Sequence, residues 1–363
     1  MDNTTLTYPV GKKPILAAGA LWWRRFMIRL WHWEYWPMYV FNIPVLFIWL
    51  RNAIRCRDLF FFTTTNPAIP TGGFFGESKS DILKMVPEGY KPKTVLWKGP
   101  LAEEDVERRF AESGLQFPVI AKPEVGERGW LISRINNLQE LQQHVRTHTI
   151  DLILQPFISS PMEVSIMVYR MPDGSKSDVT SICQKEFLHV VGDGRSTLEE
   201  LIVAQDRAIL QYEKLISKFG DRFEEILPAG EYLLLEPIGN HCRGTKFLNA
   251  NKQIDASICK VMTSILEAMP GMYYGRFDMK IESWDALRAG RGISIMEFNG
   301  TSSDPAHIYD PDYNLLRAYR DMACHWGIMG RIARQNKRAG VKSVGFKQII
   351  SALFLYFRYK RTN

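Results

Sequence analysis

The chain has 363 residues, 46% hydrophobic and 23% charged, with a formal net charge of +7. That length allows two or three packed lobes, and that composition excludes a mostly disordered chain. Five scattered cysteines, odd in number and without a CxxC spacing, argue against a disulfide framework or a zinc site and point to a reducing, cytosolic compartment.

The charge is uneven. Residues 1–62 carry eight Lys/Arg against three Asp/Glu, residues 331–363 carry nine against none, and the middle is acidic. A nucleic-acid binder interleaves basic residues with its reading elements, whereas here the basic ends are also the most apolar and aromatic parts. That pairing points to an anionic membrane surface and away from nucleic acid.

In chain order, the first segment, 1–62, holds six of the ten tryptophans and arginines at 24, 25, 29, 51, 55 and 57. Its apolar run at 38–50 contains Asn42 and Pro44 and falls short of the roughly 20 apolar residues that a spanning helix needs. No small-residue cleavage site follows the run, so it does not read as a signal peptide. Tryptophan and arginine suit the headgroup layer of a bilayer; an aromatic helix pair packed internally or used for dimerisation is the alternative. Leading into the reduced region 63–100, "DLFFFTTTNPAIPTGGFFGES" reads as a strand and a glycine turn, where Gly72 and Gly73 let a backbone approach a ligand or form a tight turn.

Residues 101–160 read as a small lobe. "FPVIAKPEVGERGW" is a buried strand carrying Lys122, then a loop with Gly126 and Gly129 whose N–H groups can fold over a phosphate that Lys122 reaches. The Walker A pattern GxxxxGK[ST] is absent. "NLQELQQHVRTH" follows as an amphipathic helix and "DLILQPFI" as a strand, offering Gln155 and an apolar hinge for a flat ring.

Residues 161–335 read as a larger lobe. "EVSIMVYR" is a strand begun by Glu163, placed for ribose hydroxyls, and "STLEELIVAQDRAILQYEKLISKFG" is one long helix with a capping arrangement at its start. After "EYLLLEPIG" and the helix "ASICKVMTSILEAM" come two strands, "YYGRFDMKIE" and "GISIMEFN". Alternation puts Arg276 and Asp278 on one face of the first strand and Glu297 with Asn299 on one face of the second. Paired as a hairpin, they bring two carboxylates and an amide oxygen together, a hard donor set for Mg²⁺, with Arg276 beside a phosphoryl group in transfer. The last segment, 336–363, reads as a basic amphipathic helix with Phe346, Ile349, Ile350, Leu353 and Phe357 at helical spacing.

Lysine, glycine loop, hinge, glutamate and an Asp/Glu/Asn set, in that order, resemble the ATP-grasp ligases, particularly D-alanine-D-alanine ligase, from about Glu77 to Met329. The resemblance implies an α+β ATP-grasp fold, two lobes sandwiching ATP, preceded by the aromatic helical segment. It implies that Lys79 and Lys122 contact phosphates, that "EVGERG" is the mobile loop, and that Gln155 meets the adenine amino group. Phe157 and Ile158 would contact adenine through their backbone, Glu163 the ribose. Asp278, Glu297 and Asn299 would hold magnesium, two ions bridged by Glu297. "KEFLHVVGDGRSTLEELI" and "HCRGTKFLNAN" are similar to segments of cyanophycin synthetase and bifunctional glutathione synthetase, which implies a basic role near the phosphates for Lys185 and an acyl-phosphate contact for Arg243.

The implied reaction is activation of a carboxylate as an acyl phosphate, with ADP released, and its capture by an amine to give an amide. "NGTSSDPA" after Asn299 departs from the Ser-Pro-Gly type turn of the alanine ligases; Ser302 and Ser303 hold a substrate carboxylate or shape the turn. The lobe before the ATP-grasp core is reduced, and the basic aromatic ends have no counterpart in the small-peptide ligases. From these departures we expect an amphiphilic or envelope-related substrate and a cytoplasmic protein on the inner face of the membrane. The alternative is a non-catalytic ATP-binding scaffold there.

Overall fold

In the computed structural model, which describes residues 16–126, 130–351 and 354, eleven strands are seen. They are β1 (Val95–Trp97), β2 (Val119–Pro123), β3 (Ser133–Ile135), β4 (Leu152–Pro156), β5 (Met162–Arg170), β6 (Ser177–Glu186), β7 (His189–Val191), β8 (Tyr232–Leu234), β9 (Lys246–Asn249), β10 (Tyr274–Ile281) and β11 (Ile293–Asn299). With helices at both ends and between them, the fold is α+β. The chain divides into a larger unit, 43–184, 249–308 and 313 onward, and a smaller one made of the described residues up to Asn42, 185–248 and 309–312. The expectations placed on Gly129, Leu353 and Phe357 lie outside the described residues.

In the larger unit, β1, β4, β2 and β3 form an antiparallel sheet in that order. Its apolar face, with Val119, Ala121, Leu152 and Leu154, is closed by the helices Glu103–Ser113 and Leu138–Thr147 through Val106, Leu141 and Val145. Asn137 caps the second helix by accepting from the Glu140 N–H at 2.9 Å, one of the orphan donors of any helix start.

A second sheet sets β10 between β5 and β11, all antiparallel, with β6 beyond β5. One face is apolar: Val164, Ile166, Phe277, Met279 and Ile295 pack on the helix Ala256–Glu267 and on Ile82 and Leu83 of the helix Lys79–Met85. The other face changes along its length. At the Tyr274 end it is apolar, packed against Ile328 and Ile332 of the long helix Leu315–Arg338; towards Asp278 it turns polar.

The strand expected in "DLFFFTTTNPAIPTGGFFGES" is absent. Phe61–Thr64 and Pro70–Gly72 are short 3₁₀ turns, because Thr63 and Thr64 hydroxyls donate to the carbonyls of Phe60 and Phe61 and compete with sheet pairing.

In the smaller unit the single long helix expected after Ser196 is three short ones, Leu198–Ala204, Asp206–Ile209 and Tyr212–Phe219. The capping box at Thr197 and Glu200 is present. The break at Gln205, whose backbone is extended, lets Arg207 turn inward to donate to the Thr245 carbonyl and to the buried Glu34 carboxylate. The helix Ala18–Trp31 contributes Leu21 and Ile28 to this unit's core.

Candidate active site

The candidate site is built on the polar stretch of the β5–β10–β11 face. In register, Arg276 lies opposite Asn299 and Asp278 opposite Glu297, so the hairpin brings the expected residues to one face. Between Asp278 and Met279 the pairing slips by one: Met279 pairs with Ile295, and Met296 bulges out. A bulge frees a carbonyl from the ladder. Here the Lys122 ammonium takes it, donating to Met296 O at 2.8 Å.

Lys122 reaches this point from β2 and is buried. Burial pushes its pKa down to about 8; Glu297 pulls the other way, and neighbouring Lys79 adds to the depression. Lys79, also buried, places its ammonium 3.8 Å from Glu297 Oε1 and donates to the Gly126 carbonyl. Two ammonium groups and one partly exposed carboxylate therefore share a small volume. Charge of both signs at close range is what a site needs if it is to take a polyanion together with a divalent cation.

Asp278 is the more enclosed carboxylate. Its Oδ1 accepts from the Ser165 hydroxyl at 2.6 Å and from Arg276 Nε at 2.9 Å, and its Oδ2 accepts from Arg276 Nη2 and Asn299 Nδ2, each at 3.2 Å. Arg276 also donates to the Asp304 carbonyl at 3.0 Å. Burial works against the guanidinium's charge, but the Asp278 carboxylate outweighs it and holds the pKa above the usual arginine value. Among the described residues no three His, Cys, Asp or Glu side chains gather as a metal site. The set is two carboxylates and an amide, and such a set fits Mg²⁺, which keeps water and phosphate oxygens for most of its octahedron.

Gln155 on β4 is fully buried. Its Nε2 donates to the Thr94 hydroxyl at 2.9 Å, while its Oε1 has no partner. An orphaned buried acceptor costs about 1–3 kcal/mol, and a donor such as an exocyclic ring amine would relieve it. Phe157, next along, is less open than expected: its ring lies between Arg134, 4.3 Å from the centroid, and Lys280, 5.2 Å. Its N–H donates to the Pro118 carbonyl at 3.0 Å, so a contact from Phe157 to a base falls to its carbonyl. Ile158 follows outside β4, and Glu163 lies opposite Lys280 in the sheet.

The remaining expected residues have structural partners. Gly72 and Gly73 have φ of +70° and +80°, and a Cβ on Gly73 would stand 2.8 Å from the Gly300 Cα. The close backbone approach that these glycines permit is to the loop after β11. Thr301 and Ser302 N–H donate to the carbonyls of Gly72 and Gly73 at 3.2 and 3.1 Å. The Ser303 hydroxyl donates to Gly300 O at 2.6 Å, so it shapes the turn, while Ser302 is exposed. Lys185 and Arg243 belong to the smaller unit. There Lys185 stands 5.8 Å over the Phe247 ring and Arg243 is 3.6 Å from the Glu236 carboxylate.

Sequence reasoning missed Glu124. Buried two residues after Lys122, it accepts from the hydroxyls of Ser78 and Ser80 and from the Ser80 N–H, and its own carbonyl accepts from the Lys79 N–H. It clamps the start of the helix that carries Lys79 to the strand that carries Lys122. The signal was the pair of serines flanking Lys79 and an acid just beyond the site strand. Ser165 and Asp304 were missed as well, since nothing local marks a serine on a central strand as an aspartate's partner.

No family model matches the chain, and no curated protein matches it. Among solved structures it is similar to the VanG D-Ala:D-Ser ligase of Enterococcus faecalis, at 17% identity and a TM-score of 0.39 over 69% of this chain and 61% of that one. It is similar to a bifunctional glutathione synthetase of Pasteurella multocida, at 14% identity and a TM-score of 0.37 over 67% of this chain and 35% of that one. It is also similar to the D-alanine-D-alanine ligase of Bacillus anthracis, at 12% identity and a TM-score of 0.38 over 72% and 67%. The chain thus spans about three fifths of the first of these and about a third of the second, and all three are ATP-grasp ligases.

Proposed function

We propose that the protein is an ATP-dependent ligase that activates a carboxylate as an acyl phosphate, releases ADP, and passes the acyl group to an amine. The observation that carries this reading is the meeting of Lys79, Lys122 and Arg276 with Asp278, Glu297 and Asn299 at the end of one hairpin. Asp278, Glu297 and Asn299 would hold magnesium, one ion or two, and the cation supplies charge neutralisation on the phosphates when bound. Lys79 and Lys122 bind the phosphate oxygens, and Gln155 Oε1 accepts from the adenine amine. Arg276 faces the transferred phosphoryl group as the substrate carboxylate oxygen bonds to the γ-phosphorus and the bond to ADP breaks. The amine nitrogen then bonds to the acyl carbon, phosphate leaves, and the amine's proton goes to solvent. The protein's part is positioning and electrostatics. Glu163, in the same unit, would meet the ribose, and Ser302 a substrate carboxylate. The exposed aromatic helices support an amphiphilic acid or amine and a cytoplasmic protein held at the inner face of a membrane.

The test is ADP release by the purified protein with Mg-ATP and fractionated cell extract, with mass spectrometry for a product formed by loss of water. Extract-dependent ADP and a new mass, both reduced at least about a hundredfold in Glu297→Ala, are the expected result. The non-catalytic alternative has one observation in its favour: both oxygens of Asp278 are already engaged by Arg276, Ser165 and Asn299. ATP binding with no turnover in aqueous or lipid fractions would establish it and overturn the ligase reading.

A further inference from the structure

Within the larger unit, the helix Met38–Cys56 from Ile43 onward and the helical stretch at 346–351 each have one packed side and one bare side. From Ile43 onward the first helix buries Val45, Asn52, Ala53 and Cys56. It lies close to Gly330 of the long helix: a Cβ there would meet Asn52 Oδ1 at 3.2 Å, and the Cys56 thiol donates to the Gly330 carbonyl at 3.5 Å. On the opposite side Ile43, Leu46, Phe47, Leu50 and Ile54 recur every three or four residues, with Phe47 67% and Ile54 69% exposed. The C-terminal stretch repeats the pattern, with Ile349 buried and Phe346, Ile350 and Phe354 exposed at four-residue steps. Phe60, four residues past the end of the first helix, meets Phe346 of the second stretch, their ring centroids 6.2 Å apart.

The charges around these stripes are of one sign. Arg51, Arg55, Arg57, Lys342 and Lys347 are exposed, residues 35–57 contain no Asp or Glu, and none follows Asp321. Asp58, the first acid along the chain after the helix, is half-buried and accepts from Lys337 at 2.8 Å. A second copy of this chain would bring the same positive rim against its own, and like charges across an isologous contact repel. An anionic bilayer satisfies both features, taking the apolar stripe into the acyl boundary and the guanidinium and ammonium groups among its headgroups. No helix among the described residues is long and apolar enough to cross a membrane.

We infer that the face formed by Ile43, Leu46, Phe47, Leu50 and Ile54 together with Phe346, Ile350 and Phe354 is a docking surface for an anionic phospholipid bilayer. This gives the membrane location a specific face and stands whether or not the protein turns over ATP. The experiment is flotation of the full chain with phosphatidylcholine vesicles with and without phosphatidylglycerol, at low and high salt. Binding only to the phosphatidylglycerol vesicles, weakened by salt and reduced about tenfold or more in Phe47→Glu/Ile54→Glu, is the expected result. Phe346→Glu/Ile350→Glu tests the second stripe independently should the first variant fail to fold by circular dichroism. Absence of binding, binding indifferent to lipid charge, or binding that the folded variants retain would overturn the inference. So would a concentration-dependent dimer that the same variants convert to monomer, and ATP binding measured alongside reports on the ligase reading separately.

Discussion

The β10–β11 hairpin and the helix Ala18–Trp31 both mix charge with apolar residues at regular spacing, and they resolve it differently. In the hairpin, Arg276, Asp278, Glu297 and Asn299 stay on the face where alternation puts them and find one another there. In the helix, the arginines expected at a lipid surface turn to protein instead. Arg25 binds both oxygens of Glu213, and Arg24 donates to the Ala204 carbonyl at 3.1 Å and lies 3.4 Å from Asp206. Trp22, Trp23, Phe26 and Trp31 are left on the outside. A strand pair fixes its cross-strand neighbours through backbone register, so charge placement follows from the pattern. A long arginine side chain on a helix goes to whichever carboxylate its own unit supplies, and the helical pattern does not say which.

Lys122 offers the largest break of that comparison. Lys122→Met is expected to weaken ATP binding by about a hundredfold or more, as loss of a buried phosphate contact would, measured by calorimetry. The same substitution is expected to raise stability without ATP at pH 7, by up to about 3 kcal/mol. Below pH 8 the lysine is charged in both the folded and the unfolded chain, and the fold carries the full cost of burying it. Between the folded value of about 8 and the unfolded 10.5 that cost is relieved, so wild-type stability gains on the variant across this window. ATP affinity moves the opposite way, falling as pH rises through about 8, and Lys122→Arg is expected to flatten that fall. A Lys122→Met protein that loses stability would mean that the Met296 contact is worth more than the burial costs.

Gln155 sharpens the hairpin side with a smaller effect. Gln155→Leu removes both an acceptor that has no partner in the ATP-free fold and the donor to the Thr94 hydroxyl, two opposing effects, so stability is expected to change by about 1 kcal/mol or less, while ATP affinity falls about tenfold. An unchanged affinity would move the base away from β4.

Much of this was legible beforehand. The strands β2, β4, β5, β10 and β11 follow the sequence pattern, because each sets a continuous apolar series against turn residues. Asp278, Glu297, Asn299 and Arg276 were legible for the same reason. The Met296 bulge that admits Lys122 was not, since a one-residue slip leaves no trace in an apolar run. Neither was the break at Gln205, whose cause is a buried partner, Glu34, more than 170 residues away. Nor could the sequence choose between the alternatives for Gly72 and Gly73, because their partners come from Gly300 and its neighbours across the fold.

Arg25 gives the smallest effect and tests the helix side directly. Arg25→Gln leaves Glu213 without its bidentate partner, and the expected loss is about 1 kcal/mol, since Arg25 is largely covered while Glu213 is partly exposed. Glu213 is held below the usual carboxylate range: its burial works the other way, and the Arg25 hydrogen bond prevails. The contribution is therefore present at neutral pH and lost as pH falls through the folded-state value, so wild type and variant converge in acid. Vesicle binding by Arg25→Gln should equal wild type, whereas Arg51→Gln/Arg55→Gln should bind anionic vesicles more weakly with stability unchanged. If the two variants exchange these outcomes, the arginines of Ala18–Trp31 serve lipid after all, and the division between inward-facing and outward-facing arginines falls.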